Sequence, residues 1–219
     1  MRTAQLVTAL AALSFLAACP DPAKDKVKAT VSTPTATPEK KAEAAAPLKD
    51  ATAFPFTQAE SKLTWVGAKV TGKHDGGFAT FGGIIEVAEN DPAKSRVRAE
   101  IDMSSLFCDS EKLTGHLKGE DFFNVAQFPQ SKFTSTAIKK LDDGKFEVTG
   151  DLTMHGVTKT ITFPAAITLG AEEVTVAAEF AINRKDFNIV YPGKPDDLIA
   201  DNVALKLDIH GKKKAPAAQ

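Results

Sequence analysis

Four histidines, several adjacent carboxylates and two cysteines are the side chains with which this chain could perform chemistry. The three carboxylate pairs at 142–143, 172–173 and 196–197 could supply an acid and a base, but each lies in a stretch of turn-forming composition. The nucleophile-elbow, zinc-peptidase and phosphate-loop motifs are absent from the sequence. We therefore interpret the carboxylate pairs as solvated turns and predict no catalytic residue.

The histidines lie too far apart in sequence to form a metal site on one element. They occupy positions 74, 116, 155 and 210, and no two share a short ligand spacing. His155 and His210 fall on the polar faces of predicted strands, which indicates solvated residues, whereas a structural hydrogen-bonding role is the simplest interpretation of His74 and His116. We predict neither a metal nor a cofactor, although a hydrolase would regain support if His74, His116 and a carboxylate met in one cleft.

Cys19 follows a segment with the features of an export signal. Met1 and Arg2 precede the apolar run from Leu6 to Leu16, which is too short to span a bilayer but suits the apolar region of a secretory signal. The run ends in Leu-Ala-Ala-Cys at 16–19, which resembles the lipobox of bacterial lipoproteins. That resemblance implies removal of residues 1–18, acylation of Cys19, and a membrane-anchored lipoprotein of the bacterial cell envelope that faces the periplasm. The other cysteine, Cys108, has apolar neighbours and is interpreted as a buried small hydrophobic residue.

Composition divides the remaining chain into a linker, one domain and a tail. Residues 19–53 are rich in Pro, Ala, Thr and Lys without apolar periodicity, so we predict a disordered, lipid-anchored linker that holds the domain off the membrane. Residues 54–211 form the predicted domain, and 212–219 a disordered tail. The balance of 27 Lys+Arg against 28 Asp+Glu argues against a nucleic-acid partner, and no feature specifies an oligomeric state.

Alternation of apolar and polar residues dominates the domain and predicts an all-β fold. The pattern is strong over 96–103, 146–155, 174–182 and 203–210, and weaker over 61–67, 78–88, 131–141 and 157–168. Asp142-Asp143-Gly144 and His155-Gly156 are tight-turn signals that indicate antiparallel hairpins. Asp109 is the predicted cap of a short helical segment toward Lys118, between strands 3 and 4. We predict an eight-stranded antiparallel barrel, because closure of the sheet removes its exposed edges.

The chain contains 14 Phe but only one Trp and one Tyr, which leaves two interpretations of the interior. Phe fills space without a polar group, so the excess is compatible with a solid core. It is also compatible with the wall of a cavity that holds a long apolar ligand. Composition favours the solid core.

Several motifs resemble the YceI-like family. They are the block 116–125 (His-Leu-Lys-Gly-Glu-Asp-Phe-Phe-Asn-Val) with the later Phe128-Pro129 and Phe133, the block 150–159, the block 182–187, and the glycine-rich 72–83. Together they cover most of 60–210 in family order. The resemblance implies an extended lipocalin-like barrel of eight antiparallel strands, with an apolar tunnel that binds polyisoprenoid or other long-chain lipids.

With that resemblance, we favour a ligand-enclosing wall over a solid core. The inward faces of the predicted strands, together with the segment below the helix, provide the expected tunnel residues: Trp65, Phe78, Phe122, Phe123, Phe133, Phe146, Leu152, Ile161, Phe163, Phe180 and Leu205. Arg184 has inward parity, so it either pairs with Asp186 or a carboxylate at the barrel end, or turns to solvent.

The expected function is therefore non-enzymatic. It is the binding of a polyisoprenoid or isoprenoid-quinone-like lipid, for carriage or storage in the cell envelope. The alternative is a filled-core envelope protein, active in interactions or stress, with no ligand.

Overall fold

The computed structural model of the protein describes residues 21–34, 47–142 and 144–213. The predicted signal at 1–18, the proposed anchor Cys19 and the end of the tail from 214 onward lie outside these ranges. Within them, 14 strands, one α-helix and three short 3₁₀ helices are defined.

The strands follow the predicted alternation closely. In chain order they are β1 Thr30–Ser32, β2 Thr52–Thr57, β3 Lys62–Lys69, β4 Gly72–Phe78, β5 Phe81–Val87, β6 Ser95–Asp102, β7 Leu106–Cys108, β8 Gln130–Asp142, β9 Lys145–Met154, β10 Val157–Leu169, β11 Glu173–Asn183, β12 Gly193–Lys194, β13 Asp197–Leu198 and β14 Asn202–Lys212. The 3₁₀ helices are Pro92–Lys94, Met103–Ser105 and Arg184–Phe187.

The fold is all-β, but the predicted count of eight strands is wrong. Twelve of the strands in the described residues form one mostly antiparallel sheet that curls into a half-barrel, in the order β2-β5-β6-β8-β9-β10-β11-β14-β3-β4-β7, with β1 beside β10. Strands β12 and β13 form a separate hairpin. The count was too low because β2, the three-residue β1 and β7, and the glycine-rich β4 carry too few alternating apolar residues to be recognised as strands.

The hairpin turns lie where the turn signals placed them. His155 and Gly156 have φ angles of 50° and 73° and join β9 to β10, while Gly144, with φ 71°, precedes β9. Positive φ at both central residues suits the right-handed twist of the flanking strands. The hairpin fixes the register of β9 and β10, and with it the inward face of each.

The single α-helix in the described residues, α1 (Glu111–Lys118), lies in the connection between β7 and β8. Its N-cap is Ser110, whose hydroxyl accepts a hydrogen bond from the Leu113 amide at 3.3 Å, so the expected cap at Asp109 is wrong. The Asp109 carboxylate instead binds the His74 ring at 2.8 Å and the Asp75 amide at 3.3 Å. The helix begins one residue later than predicted, so the Ser110 side chain, and not that of Asp109, reaches the free amides of the first turn.

The large apolar side chains of the sheet point into its concave face. Phe180 and Phe163 stack with ring centroids 4.3 Å apart, and Phe133 packs beside Phe163 at 5.9 Å. Gly150 allows this packing, because a Cβ atom there would lie 2.5 Å from the Phe133 ring and 2.6 Å from the carbonyl oxygen of Thr134. The core is therefore built around aromatic rings that cross from strand to strand.

The N-terminal segment 21–34 is ordered along the sheet, so the prediction of a wholly disordered linker over 19–53 is wrong in this part. Strand β1 pairs with β10, and the Ala29 amide donates to the Ala181 carbonyl of β11 at 2.8 Å. Ala23 is fully buried. The segment has little hydrophobicity of its own, and it is held by backbone groups that β10 and β11 leave unpaired.

The folded domain also extends beyond both predicted boundaries, residues 54 and 211. At the start, β2 includes residues 52 and 53, which had been assigned to the linker. At the other end, β14 extends through Lys212, and the Lys213 amide donates to the Glu172 carbonyl at 2.8 Å.

Candidate functional site

The concave interior of the sheet contains two adjoining cavities. The first has a volume of about 140 Å³ and the second about 160 Å³. They meet at four aliphatic residues that belong to both linings: Leu63, Ile101, Leu152 and Leu205. We call this meeting point the junction, and the two cavities the first and second lobes.

The first lobe is lined only by hydrocarbon side chains. Besides the junction residues, its wall consists of Phe56, Phe81, Ile85, Val97, Ala99, Phe133, Ile138, Val148, Ile161, Phe163, Ile167, Val176, Phe180, Leu207 and Ile209. These residues alternate along their strands with outward-facing neighbours, which is why one sheet face supplies the whole wall. Such a wall excludes charged ligands, because it has no hydrogen-bonding partner for them.

The second lobe lies at the end of the sheet where β11 ends and β14 begins. Its wall includes Trp65, Gly67, Phe78, Met103, Leu117, Phe122, Phe123, Ser131, Met154, Ile182, Arg184, Ile189, Ile199 and Val203. Helix α1 covers this end with Leu117, and the Phe122 ring packs against Tyr191 with centroids 5.2 Å apart. This lobe thus combines an apolar wall with a few polar groups.

Arg184 is buried at the edge of the second lobe and binds backbone carbonyls. Its Nη1 donates to the Ile189 carbonyl at 2.6 Å and its Nε to the Ala200 carbonyl at 3.1 Å, while Nη2 lies 3.4 Å from the Ile199 carbonyl. The nearest carboxylate is Asp201, 3.6 Å from Nη2. Of the two alternatives that the sequence left open, the buried one is therefore confirmed, with Asp201 at the end of the sheet, and not Asp186, as the carboxylate beside it.

The charge of Arg184 is maintained despite its burial. Burial lowers the pKa of the guanidinium from its ordinary value, and Asp201 acts in the opposite direction. Arginine remains protonated in proteins under such shifts. Arg184 therefore acts as a cationic clamp that joins the turn after β11 to the segment before β14.

Trp65 is the single tryptophan of the chain and lines the second lobe. A Cβ atom on Gly76 would lie 2.2 Å from the indole ring, so the glycine makes room for the ring on the neighbouring strand. The indole Nε1 is buried without a hydrogen-bond partner in the structure.

Ten of the eleven residues predicted to line the tunnel lie on a cavity wall. Phe133, Ile161, Phe163 and Phe180 line the first lobe, Trp65, Phe78, Phe122 and Phe123 the second, and Leu152 and Leu205 both. Phe146 is the exception: it is buried in the core, opposite Ala165 and Lys140, toward the far end of β9. Inward parity identifies the face of a residue but not its height along the strand.

Sequence analysis missed two prominent wall residues, Phe56 and Phe81. Phe56 alternates with Phe54 at the start of the domain, a signal that was present but too short to identify β2 as a strand. Phe81 opens β5 and lies in the weakly alternating run at 78–88.

Each histidine has its own partner. His74 binds Asp109 at 2.8 Å and His116 binds Asp121 at 2.9 Å, while the His155 ring lies 3.1 Å from the Phe187 carbonyl. The bond from His74 lowers the pKa of Asp109. His74 and His116 therefore bind different carboxylates, and they do not meet at a common carboxylate as the hydrolase alternative required.

His210 lies between two carboxylates on the outer face of the sheet. Its Nδ1 is 3.0 Å from Glu173 and its Nε2 is 3.2 Å from Asp208. The hydrogen bond with Glu173, followed by that with Asp208, raises the pKa of His210 above its ordinary value. His210 thus forms hydrogen bonds with two carboxylates and is also partly exposed to solvent.

The described parts of the chain contain no group of three or more metal-ligating side chains, and none of their helices is long and apolar enough to cross a membrane. The Cys108 thiol is free and partly buried, and it donates to the Ser110 carbonyl at 3.1 Å.

Comparison with known proteins adds a family relationship. The model of the YceI-like domain matches residues 54–211. Protein YceI of Escherichia coli O157:H7 is 38% identical over 120 residues, which cover 52% of this chain and 62% of that protein. A UPF0312 protein of Pseudomonas putida F1 is 34% identical over 140 residues, covering 61% of this chain and 70% of that protein.

Solved structures share the fold. BcnA of Burkholderia cenocepacia superposes with a TM-score of 0.61 at 25% identity, covering 70% of this chain and 97% of that one. A polyisoprenoid binding domain from Saccharophagus degradans gives a TM-score of 0.62 at 17% identity, covering 75% of this chain and 99% of that one.

Proposed function

The chain belongs to the YceI-like family, and from this premise we propose that its half-barrel binds a long-chain apolar lipid of the polyisoprenoid or isoprenoid-quinone type. The observation that carries the proposal is the pair of lobes that meet at an aliphatic junction inside the sheet. A chain that passes the junction would fill both lobes. An interior with two cavities also supports a ligand over a filled core.

Apolar burial would provide the binding free energy. Each methylene group that leaves water contributes about 0.8 kcal/mol, so a chain of several isoprene units can bind tightly without a polar contact. The first lobe would hold the tail, because its wall is hydrocarbon throughout. The second lobe, where the wall includes Trp65, Ser131 and Arg184, would hold the end of the ligand that carries oxygen.

No chemical step is part of the proposal. The YceI-like family is a family of binding domains and not a known enzyme family. The related fold from Saccharophagus degradans is named as a polyisoprenoid binding domain, and this supports the choice of ligand class.

We further propose that the protein is a lipoprotein of the bacterial cell envelope, where it carries or stores its ligand facing the periplasm. The apolar run before the Leu-Ala-Ala-Cys motif supports acylation of Cys19. Acyl chains on that residue would attach the protein to a membrane. Replacement Cys19→Ala should release the protein into the soluble fraction; retention of the variant in the membrane would contradict the anchor.

Lipid extraction tests the ligand directly. The purified protein is extracted with organic solvent and the extract is analysed by mass spectrometry, and the protein is then delipidated and titrated with a polyprenol while its Tm is followed. We expect a co-purified isoprenoid and a rise in Tm, because a ligand that binds only the folded state stabilises it. The absence of both results would refute lipid binding.

A further inference from the structure

The ordered N-terminal segment 21–34, which we call the strap, forms part of the wall of the sheet. Strands β10 and β11 pair with each other only over Ala166–Leu169 and Val174–Ala177. Beyond that point the strap lies against both: β1 pairs with Thr160–Thr162 of β10, and the residue-181 amide of β11 donates to the Val27 carbonyl at 2.9 Å. The strap is therefore fixed to the barrel by hydrogen bonds on both sides.

The beginning of the strap is fixed near one end of the sheet. Ala23 is 0% exposed and packs on the outside of the wall against Ala181 and Ala204, which are opposite each other in β11 and β14. Toward the end of the sheet, the next residue pair that faces outward is Asn183 and Asn202, which is also the last pair formed between β11 and β14. Ala23 thus lies one outward pair from the end of the sheet that contains the second lobe.

This position constrains the proposed anchor. Two peptide units separate Cys19 from Asp21, which limits their Cα–Cα distance to about 8 Å. An acylated Cys19 would therefore stay close to the second-lobe end of the sheet, so the attachment would be shorter than the long tether expected from composition.

The same end of the sheet exposes three aliphatic side chains, which we call the rim triplet: Val70, Val190 and Leu198, with exposures of 55%, 61% and 52%. The Val70 amide donates to the Leu198 carbonyl at 3.1 Å. Arg184 donates to the carbonyls of residues 189 and 199, which adjoin Val190 and Leu198 in sequence. Val190 and Leu198 therefore belong to segments that Arg184 holds together. Exposed apolar side chains that lie together mark a contact surface more often than scattered ones do.

We propose that the rim triplet contacts the hydrocarbon boundary of the membrane, so that the lipid enters the second lobe directly from the bilayer. The proposal rests on the proposed function, since it requires an acylated Cys19 and a lipid-binding interior. The strap would align the half-barrel, the acyl chains would bring it to the membrane, and the rim triplet would add apolar burial beside Ile189 and Ile199, which line the second lobe.

Site-specific fluorescence tests the orientation. In a Cys108→Ala background, an environment-sensitive fluorophore is attached to Leu198→Cys or to Leu141→Cys in the acylated full chain. Leu141 is the matched control, because it is 55% exposed at the opposite end of the sheet, near the end of β8. Acylation is verified by intact mass, and the proteins are bound to phosphatidylcholine vesicles with brominated chains.

We expect quenching at position 198 to exceed quenching at position 141 by at least about threefold. Equal quenching, stronger quenching at 141, or an unacylated Cys19 would overturn the proposal. Ala23→Glu should reduce the difference by releasing the strap, whereas Lys24→Glu, at an exposed neighbouring site, should preserve it.

A transfer assay separates this proposal from the proposed function. Leu198→Glu should slow the uptake of a labelled polyprenol from vesicles about tenfold and leave its affinity in detergent unchanged, while Leu141→Glu should change neither. Unchanged uptake by Leu198→Glu would overturn the rim contact. Failure of the unmodified protein to bind polyprenol in detergent would refute lipid binding, and the quenching comparison would still decide the orientation.

Discussion

Blocking the junction between the lobes should separate long ligands from short ones. Leu205 lines both lobes and is flanked across the sheet by Trp65 and Phe180, so the substitution Leu205→Trp would place an indole where a chain must pass. A long polyprenol would then occupy one lobe only. If the smaller lobe of about 140 Å³ is lost, at about 24 cal/mol per Å³ the deficit is about 3 kcal/mol. That corresponds to a Kd on the order of 100-fold weaker.

The assay compares two ligands on three proteins. The Kd for a long polyprenol and for geraniol, which has only two isoprene units, is measured for the unmodified protein, Leu205→Trp and Leu207→Trp. Leu207 is the matched control, because it lies on the same face of β14 but lines only the first lobe. We expect Leu205→Trp to weaken the polyprenol about 100-fold and geraniol less than about tenfold.

Leu207→Trp removes part of one lobe but leaves the junction open, so both ligands should lose affinity by similar, smaller factors. Overpacking should cost each variant about 1–3 kcal/mol of stability, which is checked by urea unfolding. Equal loss of both ligands in Leu205→Trp, or no loss of the polyprenol, would refute the idea of one chain spanning both lobes.

Three further predictions concern stability. Arg184→Met should lower the free energy of unfolding by about 3 kcal/mol, since it deprives one buried and two partly buried carbonyls of a donor; a loss below about 1 kcal/mol in urea titrations would contradict the clamp. His210→Asn should lower Tm more at about pH 5.5 than at pH ~9, because a raised folded-state pKa gives stability that is present below the unfolded pKa of about 6.5 and lost as the pH rises through the folded pKa; an equal or reversed difference would count against it. Gly150→Ala should destabilise the fold by about 1–3 kcal/mol through collision with Phe133, whereas Gly115→Ala, in open space on helix α1, should be neutral or stabilising; calorimetry that finds the two alike would exclude this account.

The wall of the candidate site could be predicted from sequence because it depends on a local rule. Along β9, β10 and β11, apolar residues alternate with polar ones, so parity alone placed Leu152, Phe163 and Phe180 on the inner face. Parity does not give the position of a residue along the axis of the half-barrel, and for this reason the prediction places Phe146 on the cavity wall although it packs beyond the cavity. The second lobe was harder to predict, since Ile189 and Ile199 come from irregular segments without a period.

The partners of Arg184 depend on long-range geometry. Its sequence neighbour Asp186 is the obvious carboxylate, but the 3₁₀ turn at 184–187 directs the guanidinium toward the carbonyls of residues 199 and 200, which come next to it only when β14 pairs with β11. Backbone acceptors carry no signature in the sequence, because every residue has one. A buried arginine can thus be predicted from parity while its partners cannot.

The strap shows why composition misidentified an ordered segment. Residues 21–34 lack the apolar residues that would support independent structure, and composition therefore indicates disorder. Order comes instead from β10 and β11, which diverge after Ala166 and Ala177 and leave unpaired backbone groups on facing edges. Any extended chain of small side chains can pair there, because backbone hydrogen bonds need no particular residue. Small size is what the packing selects, since Ala23 is fully enclosed where it lies against two other alanines. The order of the strap therefore depends on the gap between β10 and β11 that it fills, and composition of the segment alone cannot reveal that gap.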